Sequence, residues 1–336
     1  MGLSAIIIVL YHEHLRFGFP LYKYTIGEHG NIGVDFFLFV SGFGLAHSLS
    51  KHQAFGRYYG RRLSRVLPTF YAFSIFMGLL GVIFKLFGGD FNLSDFIFPR
   101  LVPIGIWFNM EFPKWYVSAV LGYYVFAAVV YPFLEKSRYL ILSTALLTFV
   151  TAWYIPSISE MTNVTLMVTR FTALVVGLSV GLADVRKAEA PRELKRGLCG
   201  LGVLFFIGAL MFLFRGKLSH TVFRTFDDEK YNRVRLCLMA PLLSVATAYG
   251  FSLCDRIRLG FVGRLFSHLG KYSLEMYLVH SAISELSTKL KLPGVVRILF
   301  LLVFSYLAAR LLMLLANLLR AFASKYIAPL LFTRAD

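Results

Sequence analysis

A histidine, a carboxylate and a group of arginines stand out because each lies within or beside an apolar run. His12 ends the run IIIVLYH, Asp35 lies in GVDFFLFVSGF, and the segment YYGRRLSRVLP contains Arg61, Arg62 and Arg65. A neutral imidazole can accept the proton of a hydroxyl, and a nearby carboxylate holds its tautomer and stabilises its cation. Guanidinium groups three or four residues apart on a helix can bind phosphate oxygens together. The stretch therefore indicates chemistry on an anionic substrate at a bilayer.

Each of these residues also has a plain structural explanation. An interfacial histidine can simply hydrogen-bond a neighbour, Asp35 can cap the start of a helix, and arginines mark the cytoplasmic side of a membrane. The positions of His12 and Asp35 favour a shared site, because His12 ends the first apolar segment and Asp35 begins the second at the same face of the membrane. We expect the two to meet, with Glu13 as the alternative carboxylate. Ser41 and Gly42 form a small-residue patch that another helix or a ligand can approach.

Polar and aromatic residues also mark the later apolar runs. Arg170 lies near the outer end of an apolar helix, where it needs a carboxylate, a phosphate or backbone carbonyls as partner. Glu275 and His280 lie in GKYSLEMYLVH and can line a central cavity. Equally, Glu275 can pair with a buried arginine and His280 can be structural. Trp115 and Tyr116 begin another run and are predicted to anchor it at the headgroup level.

Membrane-spanning helices must position these residues. Of 336 residues, 57% are hydrophobic and 16% charged, and the mean hydropathy is +0.67, so one soluble core cannot bury the apolar surface. Runs of roughly 17 to 25 apolar residues predict about ten transmembrane helices in an all-α polytopic membrane protein. Their centres are near Ile7, Val40, Leu79, Val125, Leu147, Val175, Phe206, Ala246, Tyr277 and Leu307. No long linker or repeat interrupts them, so residues 1–336 are predicted to form a single multi-helix transmembrane domain.

The basic segments predict the orientation of the chain. With both termini in the cytoplasm, segments 51–65, 135–138, 184–196 and 255–271 lie inside, whereas 215–235 forms a basic outer loop. About one bilayer thickness then separates His12 and Asp35 from the arginines. Anionic lipids and this orientation explain the net charge of +17 better than nucleic acid does. The three cysteines have neither disulfide nor metal-ligand spacing, and no metal site is predicted.

Six segments, in this order along the chain, resemble the acyltransferase-3 family of integral membrane O-acyltransferases. They are VLYH ending at His12, NIGVDFFLFVSGF over 31–43, YYGRRLSRVLP over 58–68, WYVSAVLGYYV from Trp115, RFTALVVG from Arg170 and GKYSLEMYLVH from Gly270. The pair formed by GVDFF with SGF and by RRxxRxxP is fairly specific, and the others gain weight from their order. The likeness extends over nearly the whole chain.

The resemblance implies a ten-helix enzyme of the plasma (inner) membrane of a bacterial cell. It would move an acyl group, acetyl as first choice, from cytoplasmic acyl-CoA to a hydroxyl of a sugar, glycan or related acceptor, including a lipid-linked one, at the outer face. His12 would be the base or the acyl carrier, with Asp35 beside it. The CoA phosphates would lie on Arg61, Arg62 and Arg65. The predicted residues that order the site or the substrate are Ser41, Arg170, Trp115, Tyr116, Glu275 and His280.

Two other functions share these features. Intramembrane charges also line the pathway of a transporter or flippase for a lipid-linked saccharide, although the sequence shows neither inverted repeats nor paired broken helices. A structural component of a polysaccharide export complex is the weaker alternative. Besides the acceptor, membrane lipids are expected partners, nucleic acid is not, and the oligomeric state stays open.

Overall fold

A computed structural model of the chain describes residues 1–12, 30–88, 90, 92, 103, 115–137, 140–155, 163–186, 190–213, 228–256 and 260–327. These residues form helices, and no strand occurs among them. The helices are α1 (Gly2–Tyr11), α2 (Ile32–Leu49), α3 (Phe55–Leu86), α4 (Trp115–Lys136), α5 (Leu140–Tyr154), α6 (Asn163–Arg186), α7 (Ala190–Leu213), α8 (Asp228–Arg256), α9 (Gly260–Lys271), α10 (Ser273–Lys289) and α11 (Gly294–Phe322). A π-helical turn, Ala323–Ile327, follows α11.

Many of these helices have the length and composition of membrane spans. Within the described ranges, six segments qualify: Ile32–Leu49, Phe55–Leu86, Trp115–Lys136, Met167–Arg186, Lys230–Leu253 and Gly294–Lys325. Shorter apolar helices are Gly2–Tyr11, Leu142–Tyr154 and Cys199–Met211. Every predicted helix centre lies inside a helix, and the prediction of an all-α polytopic membrane protein is confirmed. The number of spans and the cytoplasmic location of the termini stay predictions.

Several of the basic segments that we expected between the apolar helices contain helix, and two of them change the picture. Helix α9 lies within 255–271 and is amphipathic. One face carries Phe261 and Leu265, and the other carries Arg264 and His268. Its twelve residues are too few for a search based on membrane-length runs to find. Helix α8 begins at Asp228, so the predicted outer loop over 215–235 is wrong in its last part.

The chain divides into two compact units. The first comprises Met1, His29–Tyr58 and Gly122–Phe266, and the second Gly2–Glu28, Tyr59–Leu121 and Ser267–Asp336. In the first unit, α2 packs along α6, and α8 packs against α7. In the second unit, α1 packs against α10 and α11, which also pack together. The expectation that residues 1–336 form a single multi-helix transmembrane domain stays a prediction.

Glycines bring α2 and α6 unusually close together. A Cβ atom on Gly42 would collide with the backbone of Leu174, and one on Gly177 would collide with the backbone of Phe39. Side chains larger than hydrogen therefore cannot occupy these positions without moving the helices apart. The expected close approach of another helix at Gly42 is confirmed. This contact fixes the register of two helices that each carry a buried charge.

Candidate active site

His12 and His280 lie side by side in the second unit. Their ring centroids are 4.8 Å apart and the rings are tilted by 53°. Nδ1 of His12 lies 2.9 Å from the Ile8 carbonyl oxygen, and Nδ1 of His280 lies 2.6 Å from the Tyr277 carbonyl oxygen. Because a carbonyl oxygen only accepts hydrogen bonds, each Nδ1 carries a proton, and in the neutral ring Nε2 carries the lone pair. Both imidazoles are thus held in a tautomer that presents Nε2 as a base.

The packing of α1 against α10 produces this pair. His12 directly follows the last residue of α1 and is exposed, whereas His280 lies inside α10 and is buried. His280 bonds the carbonyl of the residue three positions earlier, and His12 the carbonyl four positions earlier. Each ring orientation is therefore set by its own helix. The roles of His12 and His280 in the site stay predictions.

Aromatic rings extend from the histidine pair towards α4. The Tyr277 ring lies 5.6 Å from that of His280 and 5.2 Å from that of Tyr116, both measured between centroids. The Trp115 ring follows, 6.0 Å from that of Tyr116. Tyr116 and Tyr277 are buried, so they give the imidazoles an apolar surrounding on this side. Trp115 and Tyr116, expected to anchor a helix at the membrane surface, are thus connected to His280 through Tyr277, and their part in the site stays a prediction.

Glu275 connects the histidine helix to the start of α3. Its side chain is only 2% exposed, and its Oε1 lies 3.4 Å from the hydroxyl of Thr69. Its Oε2 is buried, without a hydrogen-bond partner among the described residues. Thr69 follows Arg65 by one helical turn, and the charge of Arg65 acts on Glu275. The carboxylate therefore lies beside the helical turn that carries the arginines.

A path along two helices links the arginines to the histidine pair. Glu275 and His280 are five residues apart on α10, a rise of about 7.5 Å at 1.5 Å per residue. Arg65 and Arg61 lie one and two turns before Thr69 on α3, which adds about 6 and 12 Å of helix. The expected separation of about one bilayer between His12 and the arginines stays a prediction.

The arginines that we expected to bind phosphate lie near the beginning of α3. Arg61 and Arg65 are exposed, and Arg62 is half-buried. Their spacing of three and four residues brings the side chains of Arg61 and Arg65 to the same face of the helix. Exposed guanidinium groups at this spacing can bind two oxygens of a phosphate or of neighbouring phosphates.

A second group of charged side chains lies in the first unit. The carboxylate of Asp35 accepts hydrogen bonds from Arg170 at 3.0 Å and from two nitrogens of Arg233, each at 3.3 Å. Arg170 also donates to the backbone carbonyl of Asn31, and Nε of Arg233 donates to the hydroxyl of Thr169 at 2.9 Å. Both arginines and Asp35 are buried. Arg170 thus has the carboxylate partner that its place in an apolar helix requires.

The structure brings together some of the predicted site residues. Asp35 and Arg170 form an ion pair, and their part in ordering a site stays a prediction. Asp35 and His12 belong to different units, each described by itself, so their pairing stays a prediction, and Glu13 lies outside the described residues. Ser41 is half-buried on α2, and its part in the site stays a prediction.

Three residues of these clusters escaped the sequence analysis: Arg233, Thr69 and Tyr277. The signal for Arg233 is the acidic pair Asp228 and Glu229 ahead of it, since acids favour the first turn of a helix. That signal would have placed Arg233 inside α8 and required a partner for it. Thr69 and Tyr277 offer no comparable signal, because their positions depend on contacts between distant helices.

The geometry agrees with a comparison against protein families. A family model described as an acyltransferase domain matches residues 2–316. This range includes every candidate residue named above. Comparisons with curated proteins and with solved structures give no match. The chain therefore belongs to the acyltransferase-3 family and is a membrane acyltransferase.

Proposed function

We propose that this enzyme moves an acyl group, acetyl as first choice, from acyl-CoA to a hydroxyl of a sugar or glycan, with His12 as the base. One observation carries the proposal: His12 and His280 are adjacent, and each donates from Nδ1 to a backbone carbonyl. An imidazole fixed in this way presents Nε2 for proton transfer. Membership of an acyltransferase family sets aside the transporter and export-component alternatives.

Nε2 of His12 takes the proton of the acceptor hydroxyl while the hydroxyl oxygen attacks the thioester carbonyl carbon. The C–O bond of the new ester forms and the C–S bond of the donor breaks. The CoA thiolate then receives the proton from the imidazolium, which restores the neutral base. If His12 is instead the acyl carrier, the same Nε2 attacks the thioester first, which breaks the C–S bond and leaves an acyl-imidazolium and the CoA thiolate. The acceptor oxygen then attacks this acyl group, the C–N bond breaks, and the thiolate takes the hydroxyl proton. Both routes need the tautomer that the Ile8 carbonyl selects.

Arg61, Arg62 and Arg65 are proposed to bind the phosphates of acyl-CoA. Thr69 is within hydrogen-bond distance of Glu275, and a rise of about 7.5 Å along α10 separates Glu275 from His280. Arg65 lies one turn of α3 before Thr69, so this path leads from the arginines towards the histidine pair. Acyl-CoA carries phosphates at one end and the thioester at the other, which supports it as the donor.

Asp35 is proposed to serve the reaction indirectly. Its carboxylate is occupied by Arg170 and Arg233, a pairing that joins α2, α6 and α8. Such a cluster stabilises the helices rather than transferring a proton. The acceptor is proposed to reach the enzyme at the outer face of the inner membrane, as a surface glycan or its lipid-linked precursor.

The experiment that tests this function is mass spectrometry of surface glycans from wild-type, deletion and His12→Ala strains. We expect the deletion and His12→Ala strains to lack the mass of one acyl group that the wild type carries. The matched control is His268→Ala, which removes an exposed histidine that contacts Tyr306. A glycan with wild-type acylation in the His12→Ala strain would contradict the proposed role of His12. An unchanged glycan in the deletion strain would contradict the proposed acceptor.

A further inference from the structure

Pro68 deprives one backbone carbonyl of α3 of its usual helical donor. Pro68 lies inside α3, and a proline nitrogen carries no hydrogen. In an α-helix, the N–H at position 68 would donate to the carbonyl of Ser64, four residues earlier. In general, a proline ring inside an α-helix also crowds the carbonyl four residues earlier. The Ser64 carbonyl oxygen therefore needs a donor from elsewhere.

Arg320, near the end of α11, supplies this donor. Its Nε lies 3.0 Å from the carbonyl oxygen of Ser64, and its Nη2 lies 3.2 Å from that of Arg65. The rigid fork of the guanidinium group thus binds two successive carbonyls at the proline. Nη1 donates to the side chain of Asn317, one turn earlier on α11. All three nitrogens are engaged within the protein, so Arg320 is not placed to bind a ligand phosphate itself.

The same guanidinium group joins α3 and α11 to α10. Nη2 of Arg320 lies 3.4 Å from the hydroxyl oxygen of Thr69, which lies 3.4 Å from Oε1 of Glu275. The Thr69 hydroxyl has one proton, which it can donate either to Glu275 or to the carbonyl of Arg65 at 3.2 Å. Its lone pairs accept from Arg320. Three helices therefore meet at the turn that carries Arg65.

We propose that Arg320 is a positioning residue for the acyl donor. It replaces the hydrogen bond that Pro68 removes, and it thereby fixes the turn of α3 that presents Arg61 and Arg65 to the CoA phosphates. This inference rests on the proposed function, because it takes acyl-CoA as the donor. Arg320 lies beyond residue 316, where the family match ends. It is 255 positions from Arg65 in the sequence, so only the folded chain brings the two together.

The test compares the wild type with Arg320→Gln, Pro68→Ala and the double variant, each purified in lipid nanodiscs. Calorimetry gives the Kd of coenzyme A, and kinetics with acetyl-CoA and deacylated glycan from the deletion strain give KM and kcat. We expect Arg320→Gln to raise the Kd of CoA and the KM of acetyl-CoA about tenfold, as for one lost charged hydrogen bond, with kcat unchanged. An alanine at position 68 has its own N–H for Ser64. With Pro68→Ala present, Arg320→Gln should therefore raise Kd about threefold or less.

Each outcome decides the inference. Arg264→Gln removes a charge from exposed α9 and serves as the control, with an unchanged Kd. An unchanged Kd in Arg320→Gln, or an equal rise with and without Pro68, would overturn the inference. A wild type that binds no CoA would overturn the proposed donor, and the positioning role with it. If Arg320→Gln does not fold, Arg320→Lys keeps the charge but loses the fork, and it should raise Kd severalfold.

Discussion

The two units use the polar side chains of their helices in opposite ways. In the first unit, the carboxylate of Asp35 is occupied by Arg170 and Arg233, and Arg233 also bonds Thr169. In the second unit, two neighbouring imidazoles keep their lone pairs on Nε2 because both Nδ1 atoms donate to the backbone. A charged residue inside an apolar helix therefore does not by itself indicate a catalytic residue. A cluster of matched charges holds helices together, whereas a base must carry a lone pair on the atom that takes the proton.

The arginines of the two units differ in burial and in their binding partners. Arg170 and Arg233 are buried and bound to one carboxylate, while Arg61 and Arg65 are exposed at the beginning of α3. Removing a buried arginine leaves a buried opposite charge with fewer partners, so the fold should suffer. Removing an exposed arginine costs the fold little, so ligand binding should show the effect.

The largest expected effect is the loss of the base. His12→Ala should reduce acyl transfer by about 10²- to 10⁴-fold, the usual contribution of a positioned general base, and by more if His12 carries the acyl group. The thermal midpoint should stay near that of the wild type, because His12 is exposed and follows the end of α1. Acyl transfer by purified protein and a melting curve on the same sample measure both. Acyl transfer by His12→Ala within tenfold of wild type would show that His12 is not the base, and the proposed difference between the two units would be wrong.

Next comes the disruption of the paired cluster. Asp35→Ala leaves Arg170 and Arg233 buried without their carboxylate, and breaking a buried pair costs about 3–5 kcal/mol of folding stability. The control is Glu285→Gln, which breaks the exposed pair with Lys289 and should change stability by about 0.5 kcal/mol or less. Reversible unfolding in detergent micelles measures both variants. Equal stability losses would show that the Asp35 cluster does not hold the first unit together.

A smaller effect separates the two kinds of arginine. Arg65→Gln should raise the KM of acetyl-CoA about tenfold while stability stays unchanged, since its guanidinium group is exposed. Arg233→Gln should do the opposite, lowering stability with little change in that KM. Kinetics and melting curves of the two variants form the measurement. A stability loss in Arg65→Gln with an unchanged KM would reverse the assignment.

The last expected effect concerns the glycine contact on the helix that carries Asp35. Gly42→Ala should destabilise the protein by about 1–3 kcal/mol, because its Cβ atom has no room against Leu174. Gly44→Ala on the same helix is the matched control, since nothing lies within 4 Å of its Cβ position. It should change stability by about 0.5 kcal/mol or less. Similar values for the two variants would show that α2 and α6 do not need their close approach.

Much of the fold follows from the sequence because run length and hydropathy are local properties. The apolar runs around Val40 and Leu307 predict the helices that carry them, and α9 was missed because its short amphipathic pattern is not a membrane-length run. The first two turns of α8 were missed because Lys230, Arg233 and Arg235, which are buried in the structure, indicate a basic loop in the sequence. Local patterns thus predict helices well and helix ends less well.

The candidate site was predictable in its residue types and not in its contacts. His12, Asp35 and Arg170 stand out because polar groups are costly in apolar runs. Their partners depend on packing between helices far apart in the chain, so neither the contact of His12 with His280 nor that of Asp35 with Arg233 can be derived from spacing. Arg320 shows the same limit. Pro68 indicates that a backbone donor is missing from α3, but the sequence does not identify the residue that replaces it.

The most direct measurement of the central claim is acyl transfer per folded molecule for His12→Ala and Asp35→Asn. Each variant is purified in nanodiscs, its folded fraction is determined from a melting curve, and its transfer from acetyl-CoA is divided by that fraction. We expect folded Asp35→Asn to retain acyl transfer within about tenfold of wild type. Acyl transfer by folded His12→Ala should fall at least about a hundredfold. A folded Asp35→Asn protein as inactive as His12→Ala would contradict the central claim, because Asp35 would then belong to the chemistry.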